Sequence, residues 1–278
     1  MTRLSFDKMH GLGNDFVLID ENDLAGPLTP EQIRAIADRR RGVGFDQLIV
    51  WNARQDRRAE VLFYNADGSL SAACGNGSRA LMRLLCERLG WREADLVTGA
   101  GTLRGRVAND LYEIDMLAPG LAWRDVPLAK AADTLHLSEL EDQTLGVPTA
   151  VSMGNPHLVF FSDPLDDRVF REFGPLYERH PMLPERANVS FVEVRSPRHL
   201  QARVWERGVG PTLACGSAAC AVLVGAVRRG MAEREAEVGL PGGSLSITWR
   251  ESDDHVLMTG PATHNFRGQL DPTDLAAS

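Results

Sequence analysis

Cys74 and Cys215 are the residues whose type and setting could do chemistry as a pair. Ala73-Cys74-Gly75-Asn76 returns 141 residues later as Ala214-Cys215-Gly216-Ser217, and in both places small and then apolar residues follow. A free thiol titrates at a pKa of about 8.5, and a positive local field draws that value toward neutrality. A group poised there can take a proton in one state and give one in the other. A thiolate on one face of a carbon and a thiol on the opposite face could together invert that carbon, which is the problem posed by an amino acid α-centre.

The elements around the two cysteines supply a reason for ionisation. Residues 77–89 and 218–229 are rich in Ala, Leu and Val and are followed by Gly90 and Gly230, so each is predicted to be a helix closed by a glycine. Each cysteine therefore sits just ahead of a helix, where backbone N–H groups lack intrahelical partners and the dipole favours negative charge. Gly75, Gly77 and Gly216 leave those amides uncovered, so they could also hold a carboxylate and the charge that a carbanionic intermediate spreads into it. Nothing in this scheme requires pyridoxal phosphate or a metal. The spacings of the four cysteines, at 74, 86, 215 and 220, miss the close pairs of structural zinc sites and the density of a disulfide scaffold. Cys86 and Cys220 fall inside the helical runs and are expected to be core thiols.

The same offset reaches further. It carries Asn14 to Asn155, Gln47 to Asn188, and the stretch Leu62-Phe63-Tyr64-Asn65-Ala66-Asp67 onto Arg203-Val204-Trp205-Glu206-Arg207-Gly208. Twice the offset is close to the full length of 278 residues, so a duplicated domain is the economical architecture. Short apolar or alternating runs predict strands over 16–20, 47–51, 60–64, 111–116, 158–161, 189–194, 201–206 and 245–249. The second helical run, from Ala218 to Val224, is apolar all round and must be enclosed by other structure. The reading is an α+β fold of two pseudo-symmetric domains, each a curled, mostly antiparallel sheet around a central helix. Residues 1–118, joined by a returning segment 263–278, form the first domain and 119–262 the second, with Leu117-Ala118-Pro119-Gly120 as a linker.

Composition narrows the partners. A formal charge of -8 argues against a nucleic acid or anionic membrane surface. No run of 18 apolar residues could span a membrane, and the first residues lack the apolar stretch of a secretion signal, so a cytoplasmic location is expected. Among polar residues, Asn65 and Asn188 with the Glu206-Arg207 pair offer donors and one carboxylate, a set suited to a second zwitterionic group on a substrate. A cysteine hydrolase assisted by His157 is chemically possible but leaves the second Cys-Gly site without a task.

At this point the chain resembles the diaminopimelate epimerases, from about Phe6 to Thr259-Gly260-Pro261-Ala262. The resemblance is carried by MHGLGNDF at 9–16, RRRGVGFDQ at 39–47, NADGS at 65–69, ACGNGSR at 73–79, GNPH at 154–157, ERANVSF at 185–191 and WERGVGPTLACGSAAC at 205–220. It implies two similar α+β domains with the active site in the cleft between them, domain closure over substrate, a homodimer, no cofactor and no metal. It implies interconversion of LL- and meso-2,6-diaminopimelate in the formation of lysine and peptidoglycan precursors, with Cys74 and Cys215 as proton donor and acceptor. The resemblance places Gly75, Asn76, Gly216 and Ser217 at the reacting carboxylate. It places Asn65, Asn188, Glu206 and Arg207 at the distal amino acid centre, with Asn14, Gln47, Asn155 and His157 completing the pocket. A racemase of proline, hydroxyproline or histidine built on the same two-cysteine plan, and a non-catalytic amino acid binding protein, stand as alternatives. Two departures from the family pattern stand out. Ala218 replaces a frequent glycine, and Thr263-His264-Asn265-Phe266 is more polar than the strand often found there, which weakens the prediction of that strand.

Overall fold

The computed structural model describes residues 3–162 and 166–271, and its contacts divide the chain into two units. The first runs to Ile114 and resumes at Gly260; the second is Asp115–Thr259.

The first unit carries β1 (Leu4–Gly11), β2 (Asn14–Asp20), α1 (Pro30–Ala37), β3 (Gln47–Ala53), β4 (Arg58–Asn65), β5 (Leu70–Ser71), α2 (Gly75–Leu89), β6 (Glu93–Thr98), β7 (Gly101–Ala108) and β8 (Leu111–Asp115). The second carries β9 (Thr149–Ser152), β10 (Pro156–Phe161), α3 (Asp167–Glu178), β11 (Asn188–Ser196), β12 (His199–Glu206), β13 (Gly210–Pro211), α4 (Gly216–Arg228), β14 (Glu235–Leu240), β15 (Gly243–Trp249) and β16 (Val256–Gly260). A last strand, β17 (Thr263–Leu270), returns to pair antiparallel with β1.

The pairing pattern is written twice. In the first unit β1–β2 is antiparallel, β2–β3 parallel, β3–β4 and β4–β5 antiparallel, β4–β6 parallel, and β6–β7 and β7–β8 antiparallel. In the second unit β9–β10, β10–β11, β11–β12, β12–β13, β12–β14, β14–β15 and β15–β16 repeat that order of senses. Each parallel pair is bridged by a helix, because parallel neighbours need a long crossover. The register repeats as well: Phe16 faces Gln47, and His157 faces Asn188.

The helices α2 and α4 are the central ones. α2 touches β1, β2, β6, β7 and β17, and α4 touches β9, β10, β11, β12, β14 and β15. Its position explains the composition of α4, in which Ala218 to Val224 are fully buried. The crossover helices α1 and α3 close separate apolar clusters: Ile33 and Ile36 pack with Val17, Ile19, Leu48 and Val50, while Phe170 and Tyr177 pack with Phe160, Phe191 and the partly buried Trp205.

Several features departed from expectation. Neither α1 nor α3 is predicted from the sequence, and neither are β1, β5, β6, β7, β9, β13, β14 and β16. β17 forms despite its polar sequence: it pairs with β1, and Asn265, Phe266 and Arg267 are exposed to water, so their side chains need no apolar partner. Cys220 is buried in the core as expected, but Cys86 is only partly so. The end of the returning segment, residues 272–278, lies outside the described residues. Among the described residues no helix is long and apolar enough to cross a membrane.

Candidate active site

Both cysteines are helix N-caps. Cys74 precedes α2 with φ -146° and ψ 110°, and Cys215 precedes α4 with φ -127° and ψ 111°. Both have the extended backbone of an N-cap residue, the conformation from which a side chain can turn back to the first amides of its helix. At Cys74 the result is explicit: the Gly77 N–H donates to Sγ at 3.3 Å. Gly77 must be glycine for packing too, since an added Cβ would lie 2.9 Å from Ile49 Cδ1 and 3.0 Å from Phe63 Cε1. At Cys215 the Ser217 hydroxyl lies 3.5 Å from Sγ.

Each helix start is buttressed by an asparagine that opens a strand. In the first unit Asn76 Nδ2 donates to Asn14 Oδ1 at 3.2 Å; in the second Asn155 Nδ2 donates to Ser217 Oγ at 3.4 Å. These two pairs occupy equivalent positions of the duplication, but their backing differs. Asn14 Nδ2 donates to Asp46 at 2.8 Å, and Asp46 is held by Arg39, which also grips Asp15. Lys8 donates to Asp15 from within the sheet. Burial alone would raise the Asp15 carboxyl, but the hydrogen bonds from Arg39 and Lys8 outweigh it and bring the pKa to about 2. Asn155 is instead backed by His157, whose Nε2 lies 2.9 Å from Asn155 Oδ1. That ring is fully buried, so desolvation, with the Arg207 charge as a second cause, lowers its pKa to about 3. A neutral imidazole donating from Nε2 fits the acceptor at Asn155, and its Nδ1 has no hydrogen-bond partner among the described residues. Such a histidine orients Asn155. It is poorly placed to act as the base of a cysteine hydrolase.

The remaining sequence-predicted residues gather at the same end of their sheets. Gln47, at the start of β3, donates to Asn65 Oδ1 at 3.0 Å at the end of β4, directly across the ladder. Asn188, at the start of β11, is buried, and both ends of its amide are used: Oδ1 accepts from the Arg207 N–H at 3.0 Å and Nδ2 donates to the Pro156 carbonyl at 3.2 Å. It therefore shapes the Glu206–Arg207 corner from behind. Arg207 Nη1 donates to the Glu185 carbonyl at 3.1 Å. Thus Cys74, Gly75, Asn76, Asn14, Gln47 and Asn65 share the first unit, and Cys215, Gly216, Ser217, Asn155, His157, Asn188, Glu206 and Arg207 the second.

Sequence reasoning missed the supports: Lys8, Asp15, Arg39, Asp46 and Glu178. Arg39 and Asp46 lie within a motif that the sequence offered, but no local pattern announces Glu178, at the end of a helix that was itself unseen. Among the described residues no group of His, Cys, Asp and Glu side chains is arranged to hold a metal ion.

Comparison with known proteins gives one consistent result. The family model described as diaminopimelate epimerase matches residues 6–116 and 149–265. A diaminopimelate epimerase of Acidiphilium cryptum is 47% identical over 272 residues, 98% of this chain and 98% of that one. One from Gluconobacter oxydans is 49% identical over 269 residues, 95% and 98% of the two chains. Among solved structures, a predicted epimerase from Pseudomonas aeruginosa superposes with a TM-score of 0.71 at 18% identity, over 96% of this chain and 99% of that one. A hydroxyproline epimerase from Agrobacterium vitis gives 0.66 at 14% identity, over 98% and 94%. The structural likenesses speak to the fold alone; the sequence matches, near full length, show that this chain belongs to the diaminopimelate epimerase family.

Proposed function

We propose that this enzyme interconverts LL- and meso-2,6-diaminopimelate by moving one α-proton between Cys74 and Cys215, without cofactor or metal. The observation that carries the reading is the thiol at a helix start, built twice at equivalent positions, with the Gly77 amide already donating to Cys74. In the proposed cycle one sulfur begins as thiolate and removes the α-hydrogen while the other, as thiol, delivers a proton to the opposite face. Charge that develops on the substrate carboxylate is met by the helix-start amides at Gly75, Asn76, Gly216 and Ser217, a stabilisation that grows toward the transition state. Asn65, Glu206 and Arg207 are proposed to read the distal amino acid head, and Asn14, Gln47 and Asn155 to complete the pocket, with Asn188 and His157 holding their neighbours in place. We assign the chain to the cytoplasm, where thiols stay reduced, and to a homodimer; light scattering at twice the single-chain mass would agree with the latter, and a monomer would count against it.

The deciding experiment is α-proton exchange in buffered deuterated water under reducing conditions, with no pyridoxal phosphate or metal added. Deuterium should enter one α-carbon of LL-diaminopimelate as the meso isomer appears. Turnover of proline, hydroxyproline or histidine in its place would overturn the substrate, and saturable binding without exchange would overturn the reaction.

A further inference from the structure

Glu178, the last residue of α3, has a buried carboxylate that takes no part in the proton-transfer scheme. Its Oε2 accepts from the Trp205 indole N–H at 2.9 Å, and its Oε1 accepts from the backbone N–H of Gly208 at 3.0 Å. Those donors stand on either side of Glu206 and Arg207. With Asn188 taking the Arg207 N–H, three N–H groups from four consecutive residues are fixed by two buried side chains from outside the turn. The turn itself is closed by the Val209 N–H donating to the Glu206 carbonyl at 3.0 Å, with Gly208 at φ 76°. Burial would raise the Glu178 carboxyl, but the bonds from Trp205 and Gly208 and the charges of Arg179 and Arg186 outweigh it and lower its pKa, so it is an anion that accepts at both oxygens.

The equivalent corner of the first unit is built otherwise. After Asn65 the turn is held by Asp67, which accepts from the Ser69 N–H, and by Arg34 of α1, which donates to the Asp67 carbonyl. The crossover helix reaches the corner in both units, as a cation on a carbonyl in one and as a carboxylate on N–H donors in the other. Only the second-unit corner carries a Glu–Arg pair.

We infer that Glu178 is a positioning residue that sets selectivity for a substrate with a second amino acid head, by holding the Glu206–Arg207 corner from both flanks. The inference rests on the proposed function for its substrate and on the geometry for its residue. Glu178→Gln tests it closely: glutamine keeps the volume but accepts at one oxygen only and turns an NH₂ toward the other donor.

Wild type and Glu178→Gln are compared on LL-diaminopimelate and on norleucine, which keeps the reacting centre and its carbon chain but lacks both the amine and the carboxylate of the distal head. The variant should raise KM for LL-diaminopimelate about tenfold or more, the scale of one lost charge-assisted hydrogen bond, with little change in kcat. Exchange at the α-carbon of norleucine should stay at its wild-type rate, so the preference collapses. An unchanged preference, or an equal loss on both substrates, overturns the role. Urea unfolding guards against a fold defect: Glu178→Gln should keep the cooperative transition of wild type, and loss of that transition with an equal loss on both substrates counts against the inference. If wild type shows no activity on LL-diaminopimelate, the substrate reading fails by itself. The residue's role is then read from the Trp205 indole N–H resonance, which must shift in Glu178→Gln and which, if unmoved, overturns the anchor.

Discussion

At the scale of single residues the site divides into groups that meet substrate and groups that hold them, and the two kinds of substitution should behave differently. Cys74→Ala and Cys215→Ala each leave the helix-start amides in place, so substrate binding should change little while epimerisation falls by about 10²–10⁴, the contribution of a positioned acid or base. A steady-state assay paired with calorimetric titration checks both halves, and near-normal turnover in either variant would end the two-thiol scheme. His157 belongs to the other kind. Its folded pKa of about 3 lies below the ordinary 6.5, so the unfolded chain binds a proton first as pH falls through 6.5, and the native state loses stability from there down to about 3. Between pH 7 and pH 5 that loss amounts to about 2 kcal/mol. Urea unfolding at the two pH values should therefore show a drop for wild type that is smaller by about that amount in His157→Gln; equal drops would mean that the ring is not buried neutral. The two cysteines, and Asn14 with Asn155, were legible because their types recur at one offset. The burial of His157 and Asn188 was not, since a sequence lists a donor without saying whether it faces water or a carbonyl.

At the scale of elements, legibility followed how much of an element's pattern survives its local compromises. The central helices announced themselves by long apolar runs closed by Gly90 and Gly230, both at positive φ. α1 has eight residues and opens on a proline, which is too short for periodicity to emerge. α3 carries Gly174 and Pro175 in its interior, residues that ordinarily break helices, yet its apolar face is well developed. The structure explains the glycine. A Cβ at residue 174 would lie 2.5 to 2.7 Å from three atoms of the Trp205 ring, so α3 can press on that indole only where the side chain is absent. Gly174→Ala gains up to about 1 kcal/mol in helix propensity but forces the ring aside, for a net loss of about 1–3 kcal/mol. Thermal unfolding would register it, and an unchanged or raised midpoint would show that the contact has slack. Because Trp205 is one of the flanks that Glu178 holds, the same variant should also weaken discrimination for the distal head.

At the scale of the whole molecule, the 141-residue offset proved to be the most informative feature of the sequence, since it foretold a repeated order of strand pairings that no single motif specifies. What it left out is the asymmetry between the copies. The second unit is one continuous stretch, Asp115–Thr259, with its own aromatic cluster around Phe160, Phe170, Tyr177 and Phe191. The first is completed only when the chain returns. β1 has β17 as one of its two partners, and two arginines of α2 spend their donors on the returning backbone: Arg79, wholly buried, on the Pro261 carbonyl at 3.4 Å and Arg83 on the Ala262 carbonyl at 2.6 Å. Without that segment β1 would present an unpaired edge, and a buried guanidinium would lose an acceptor at a cost of several kcal/mol, a large share of the stability of any domain. A fragment of residues 115–259 should therefore unfold cooperatively in urea with sheet-rich circular dichroism. Residues 1–114 alone should be poorly folded, and fusing residues 260–271 ahead of Met1 through a flexible linker should restore a cooperative transition. If residues 1–114 fold equally well with and without the added strand, the returning segment is an ornament of the first unit and the asymmetry between the copies has no energetic weight.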